Sequence, residues 1–189
     1  GRLGNDLDFT TNALPQDSKK ILQEWAENIW ETGIAFGTVA GKRGDTTVEV
    51  TTYRSERYDS DSRKPEVEYG KDILGDLSRR DFTVNAMALE LTGDAPEFLD
   101  PFNGLQDLSK KILKTPGRPG DSFNDDPLRM MRAARFASQL DFEIDPNVLV
   151  SIKDLAHRIA IVSAERVRDE LIKILMSPDP RVGITILVD

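Results

Sequence analysis

Gly117-Arg118-Pro119-Gly120 divides this sequence into two textures. Glycine admits positive φ and proline removes an amide donor, so together they interrupt helix and strand alike. Beyond the break, apolar residues recur at helical spacing. Leu128 to Leu140, with Pro127 at its start, Pro146 to Arg158, and Ser163 to Met176 read as helices. Ser163 stands where a capping hydroxyl belongs, while Arg166 takes the place at which Glu or Gln completes a capping box. Before the break, short alternating runs are punctuated by turns. The expected fold class is α+β, with a head of strands and helices over residues 1–118 followed by an all-helical second part over residues 119–189.

Within the head, Leu7-Asp8-Phe9-Thr10-Thr11 alternates as a strand does. Asp17 is expected to cap a helix whose stripe holds Ile21, Leu22, Trp25 and Ile29, the two tryptophans serving in packing in preference to a base-stacking platform. Gly33 to Ala40 and Thr46 to Tyr53 read as strands of a hairpin closed by the Gly-Lys-Arg-Gly-Asp turn. Residues 55–70, polar and charged, read as a loop. From Asp81 a helix is expected to run into a strand, and Phe98 to Gly104 reads as strand then turn.

The whole composition is that of an ordinary globular chain: 189 residues, 39% apolar and 31% charged. Every long apolar run is broken by a charge, which excludes a membrane-spanning segment. The lack of cysteine excludes disulfides, zinc–thiolate sites and thiol nucleophiles, and fits a cytoplasmic setting. A net charge of −8 does not exclude nucleic acid, because binding follows local patches and metal-holding acids lower the sum. The chain starts at Gly1 and stops in the apolar run 183–188, and is expected to be part of something longer.

Four runs carry chemistry. In Asp6-Leu7-Asp8 a strand would project both carboxylates from one face, where they repel unless a cation lies between them. Hard oxygen donors suit Mg²⁺; two solvated acids at a strand end are the plainer alternative. In Val48 to Arg54, alternation buries Val48 and Val50 and leaves Glu49 on the other face as a third acid, or as a surface glutamate. Two-metal phosphoryl transfer gathers such acids around ions roughly 3.5–4 Å apart. In Arg79-Arg80-Asp81-Phe82-Thr83-Val84-Asn85, paired arginines opening a helix could meet a triphosphate, and Asn85 shares a face with Asp81. Asp81 alternatively serves the helix dipole.

The fourth run is Asp125-Asp126-Pro127-Leu128-Arg129-Met130-Met131-Arg132-Ala133-Ala134-Arg135-Phe136. Its arginines recur every third residue beside an apolar face. Asp126 offers acceptors and Arg129 donors, one turn apart, so the pair can match a base edge or can form a local salt bridge.

In this order, Leu3 to Thr11, Arg79 to Ala86, Leu99-Asp100-Pro101-Phe102-Asn103-Gly104-Leu105-Gln106-Asp107-Leu108, and the Asp125 to Phe136 run resemble class II tRNA nucleotidyltransferases and the related bacterial poly(A) polymerases. The resemblance covers nearly the whole chain and implies a nucleotidyltransferase head and a helical neck. It implies Asp6 and Asp8 as Mg²⁺ ligands, Glu49 as a third catalytic acid, and Arg80 and Asn85 at the nucleotide. It implies Asp126 and Arg129 as an amino-acid template choosing CTP or ATP, with Arg132 and Arg135 as further nucleotide or phosphate contacts. Lys110, Lys111, Lys114 and Arg118 lie outside the motifs; they are phosphate contacts or, more simply, solvated surface.

Two departures stand out. Asp125 replaces the family's glutamate, and a Gly-Gly-x-Val-Arg-Asp-like segment before the Asp-x-Asp strand is expected to be missing, as are the body and tail that grip tRNA. The implied activity is CCA addition to tRNA 3′ ends: the RNA 3′-hydroxyl attacks the α-phosphorus and pyrophosphate leaves. The alternatives are AMP addition by a poly(A) polymerase and a non-catalytic RNA-binding module. The module reading predicts no Mg²⁺-dependent nucleotide binding in a calorimetric titration.

Overall fold

The structure is a computed structural model that describes residues 4–31, 33–57, 66–70 and 72–188. The chain gathers into two compact units, Gly1–Asp76 and Leu77–Asp189, and the division falls within helix α2 (Ile73–Ser78).

In the first unit, β1 (Asp6–Thr11) lies parallel to β4 (Thr46–Thr52), and β4 continues antiparallel to β3 (Thr38–Arg43) and then β2 (Asn28–Trp30). The expected β3–β4 hairpin is present, its tight turn using Gly44 at φ 55°. Its first strand starts later than anticipated, because Ile34–Phe36 wind into a 3₁₀ turn closed by Gly37 at φ 81°. Helix α1 (Pro15–Trp25) packs along β3 with Pro15, Ser18 and Leu22 buried. Gly41 permits this approach: a Cβ there would stand 2.9 Å from that of Ala26.

The stripe expected on α1 needs correction. Asp17 lies inside the first turn, where its charge suits the dipole, and Leu14 occupies the N-cap without a side-chain bond. The chain turns extended at Ala26, so Ile29 belongs to β2, and Ile21 is 67% exposed. The loop expected over 55–70 also needs correction: β5 (Arg54–Arg57) and β6 (Glu66–Tyr69) pair antiparallel. Residues 58–65 lie outside the described residues. The Glu-Val-Glu-Tyr alternation of 66–69 was the overlooked period-two signal.

The second unit opens with the double arginine, which follows α2 instead of starting a helix. Phe82 is extended, and only Thr83–Asn85 form a 3₁₀ turn before β7 (Ala88–Glu90) pairs with β8 (Glu97–Leu99). Helix α3 (Gly104–Lys110) begins on Asp100, whose carboxylate accepts the amides of Gly104 and Leu105 at 2.6 and 3.0 Å. Thr83 donates its hydroxyl to buried Asp107 at 2.8 Å and its amide to the Lys114 carbonyl at 2.8 Å. Two runs that are separate in sequence are thereby clamped together.

Beyond α3, β9 (Ile112–Leu113) pairs parallel with β10 (Glu143–Ile144). Around them lie α4 (Pro119–Asp125), α5 (Leu128–Leu140), α6 (Pro146–Leu155), α7 (Ala164–Leu175) and α8 (Pro180–Val188). Helix α6 stops short of Arg158, and Ala156–Ile161 continue as 3₁₀. Ser163 is the N-cap of α7 but makes no side-chain capping bond. The core joins Phe82 and Leu113 to Phe123, Met130, Ala133, Ala137, Ile144, Val148 and Ile152. Residues on both sides of 117–120 share it, so the compact units divide after Asp76 and residue 118 lies inside the second. Among the described residues, no helix is long and apolar enough to cross a membrane.

Candidate functional site

The first cluster is set by sheet register. Asp6 pairs with Thr47, and Asp8 with Glu49. Laterally paired strand residues project to the same side, so Asp6, Asp8 and Glu49 share one face while Leu7, Val48 and Gly41 share the other, against α1. All three acids are exposed. On their face, Thr38 and Thr51 hydroxyls meet at 3.0 Å. The same lateral row runs Asp8, Glu49, Ala40, Trp30, and Trp30 is 44% exposed, more open than its expected packing role implied.

Among the described residues, no three His, Cys, Asp or Glu side chains close into a metal cage. Two carboxylates on one side of a strand end, open on their flank, remain a donor set that fits Mg²⁺, which commonly takes one or two carboxylates and completes its shell with water and substrate oxygens.

The second cluster lies at the start of α5. The Arg129 amide donates to the Asp126 carbonyl at 3.0 Å, but their side chains do not bond to each other; each side chain is held from elsewhere. Asp126 accepts the Leu128 amide on Oδ1 at 3.1 Å, and on Oδ2 it accepts the guanidinium of Arg166, from the first turn of α7, at 2.9 Å. Arg129 Nη1 donates to the Ser122 hydroxyl at 2.8 Å and to the Ser122 carbonyl at 3.4 Å, and Nη2 donates to the Arg79 carbonyl at 2.6 Å.

Further along α5, Arg132 donates through Nε (2.8 Å) and Nη2 to Asp81, which also accepts the Asn85 amide nitrogen at 3.0 Å. Asp81 and Asn85 therefore do share a face. Burial raises the Asp81 pKa, but Arg132, Asn85 and the Phe82 amide outweigh it and hold the carboxyl below its ordinary value. Arg135 donates to Glu170 at 2.6 Å and to Gln139 at 2.9 Å, with its guanidinium 4.0 Å above the Phe136 ring; 11% of its side chain is exposed. It is more deeply buried than Arg132, whose side chain is 34% exposed. Lys111 pairs with Asp141 and Lys114 with Asp107. Arg80 is half-buried.

Sequence reading missed Ser122 and Arg166. Ser122 lies seven residues before Arg129 but on a separate helix, α4, so helical spacing does not pair them, and Arg166 lies 40 residues from Asp126. The only local signal was an arginine at the capping-box position of α7.

Residues 1–114 match the poly A polymerase head domain, and residues 141–189 match the probable RNA and SrmB-binding site of polymerase A. The chain is 42% identical over 181 residues to a CCA-adding enzyme of Limosilactobacillus reuteri (strain DSM 20016), covering 95% of this chain and 43% of that protein. Among solved structures it resembles the Bacillus stearothermophilus CCA-adding enzyme in complex with CTP, with a TM-score of 0.82, 34% identity, and coverage of 96% of this chain and 42% of that one. It also resembles a tRNA nucleotidyltransferase complexed with a primer tRNA and an incoming ATP analog, with a TM-score of 0.78, 26% identity, and coverage of 98% and 52%. The chain thus spans less than half of the curated relative. The four ordered motifs and a head-domain match over 114 residues lead to one conclusion: this chain belongs to the poly A polymerase head-domain family, among the tRNA nucleotidyltransferases and bacterial poly(A) polymerases.

Proposed function

We propose that the protein containing this chain adds nucleotides to tRNA 3′ ends in the cytoplasm, taking CTP and ATP and building CCA without a nucleic-acid template. The observation that carries the reading is the register of Asp8 opposite Glu49, which puts three acids on one open sheet face. Identity of 42% to a CCA-adding enzyme supports it, as does likeness to structures bound to CTP and to primer tRNA with an ATP analog.

Asp6 and Asp8 would hold Mg²⁺, with Glu49 adding negative charge beside them. The ion would supply charge neutralisation for the triphosphate and ease ionisation of the attacking 3′-hydroxyl. Asp126 accepts from the exocyclic amine of cytosine or adenine, and Arg129 donates to the neighbouring ring nitrogen or carbonyl. Uracil and guanine present a carbonyl where the amine should be, and Asp126 repels it. Arg80, Asn85 and Arg132 meet the ribose and phosphates, and Arg135 braces the ridge. Residues 119–189 serve as the neck that carries the base-reading pair. No side-chain nucleophile is needed; positioning and charge supply the acceleration.

The full-length Asp8→Ala variant should lose nucleotide incorporation by at least about a hundredfold while keeping its fold by circular dichroism. Wild-type incorporation in that variant would refute the assignment. The family's poly A polymerase match favours a second reading, AMP addition alone. Tests with tRNA lacking its CCA and each NTP singly decide: CTP incorporation supports the first reading, and ATP-only tailing the second.

A further inference from the structure

We propose that Ser122 is a positioning residue for nucleotide choice, holding the Arg129 guanidinium so that its remaining donors face the base. The inference rests on the reading of Asp126 and Arg129 as the base-selecting pair. A free arginine side chain samples many rotamers, and a donor that swings can satisfy uracil or guanine as readily as cytosine or adenine. Here the guanidinium is pinned at two corners. Nη1 is spent on the hydroxyl and carbonyl of Ser122, a buried residue of α4, and Nη2 gives one hydrogen to the Arg79 carbonyl at 2.6 Å.

A guanidinium carries five N–H donors. Three bonds leave Nε–H and one Nη2–H, which are adjacent along one edge. That edge matches the two acceptors of cytosine, N3 and O2, and the single ring acceptor of adenine, N1. Asp126 is fixed in turn by the Leu128 amide and Arg166. Among the described residues, the Ser122 hydroxyl is the one side-chain group bonded to the Arg129 guanidinium, the other acceptors being main-chain carbonyls, so it is the contact that substitution can remove.

The test uses the full-length protein and tRNA lacking CCA, with single-nucleotide incorporation measured for CTP, ATP, UTP and GTP. Ser122→Ala should raise KM for CTP and ATP about tenfold, as expected for one hydrogen bond to a charged group. It should lower discrimination against UTP and GTP by a similar factor, with kcat at saturating CTP and KM for tRNA unchanged. Ser122→Thr, which keeps the hydroxyl, should restore selectivity. Ser122→Cys, of similar size with a weak acceptor, reads the same bond should the alanine variant not fold.

In the Arg129→Ala background, Ser122→Ala should change nothing further, since it acts through the absent guanidinium. If Arg129→Ala loses discrimination while Ser122→Ala and Ser122→Cys keep it, the inference fails and the base-pair reading survives. An equal Ser122→Ala effect in both backgrounds overturns it as well. If Arg129→Ala discriminates like wild type, both readings fall together.

Discussion

The acids that matter most to stability are buried ones, and they already have partners. Asp81 is 9% exposed, Glu170 3%. Burial raises both pKa values, yet Arg132 with Asn85 in one case, and Lys173 with Arg135 in the other, bring each below its ordinary 3.8 or 4.5. A carboxyl depressed in the folded state is more readily protonated in the unfolded chain. Its stabilisation is therefore complete above the unfolded value and is lost as pH falls through the folded one. Thermal midpoints should stay level from neutrality to about pH 5 and drop below about pH 4. Arg132→Met strands Asp81 without its cation. It should cost about 2–3 kcal/mol at pH 7 by urea unfolding, less than the roughly 3–5 kcal/mol of a fully buried broken pair because 34% of the Arg132 side chain meets water. It should also flatten the acid limb, since Asp81 then gains no charge-stabilised state. An unchanged acid limb would show that Asp81 contributes nothing to it.

Between elements, the decisive contacts join runs that the sequence keeps apart. Gly104 lies so near the 3₁₀ turn that a Cβ would stand 2.2 Å from the Thr83 carbonyl oxygen, whereas Gly120 in α4 has open space. Gly104→Ala should destabilise by about 3 kcal/mol through overpacking against backbone, and Gly120→Ala should be neutral or slightly stabilising as an alanine within a helix. Equal shifts in their urea midpoints would remove close approach as the explanation. The same contrast marks what could be read beforehand. Period-two alternation gave β1, β3 and β4, and hence the face of Glu49; helical spacing gave α5 to within a residue. The partners of Asp126 and Arg129 were hidden, because a side chain's choice among distant carbonyls and hydroxyls leaves no periodic trace. Besides a base edge, local reading offered these two side chains only each other, as an i, i+3 salt bridge, and the structure replaces that bridge with Arg166 and Ser122. The double arginine misled similarly: Asp81 satisfies the Phe82 amide itself at 2.8 Å, and the chain there stays extended.

For the molecule as a whole, the question is what folds by itself. A composition boundary and a packing boundary answer differently. Helical texture begins after Gly117, but Phe82 and Leu113, both fully buried, belong to the core that α4, α5 and α6 complete, and β9 supplies the partner of β10. A piece covering residues 119–189 would lose both side chains and leave Glu143 and Ile144 unpaired. Removing two large core residues typically costs several kcal/mol, comparable with the entire stability of a domain this small. A piece covering residues 77–189 keeps that core intact, together with the Asp81–Arg132 pair and the Ser122–Arg129 cradle. It should melt in one cooperative transition and show dispersed amide resonances, while residues 119–189 should bind hydrophobic dye and melt without a defined midpoint. Cooperative melting of 119–189 would mean that its helices carry a sufficient core of their own. Phe82 and Leu113 would then be guests in it, and the boundary drawn from composition would be the physical one.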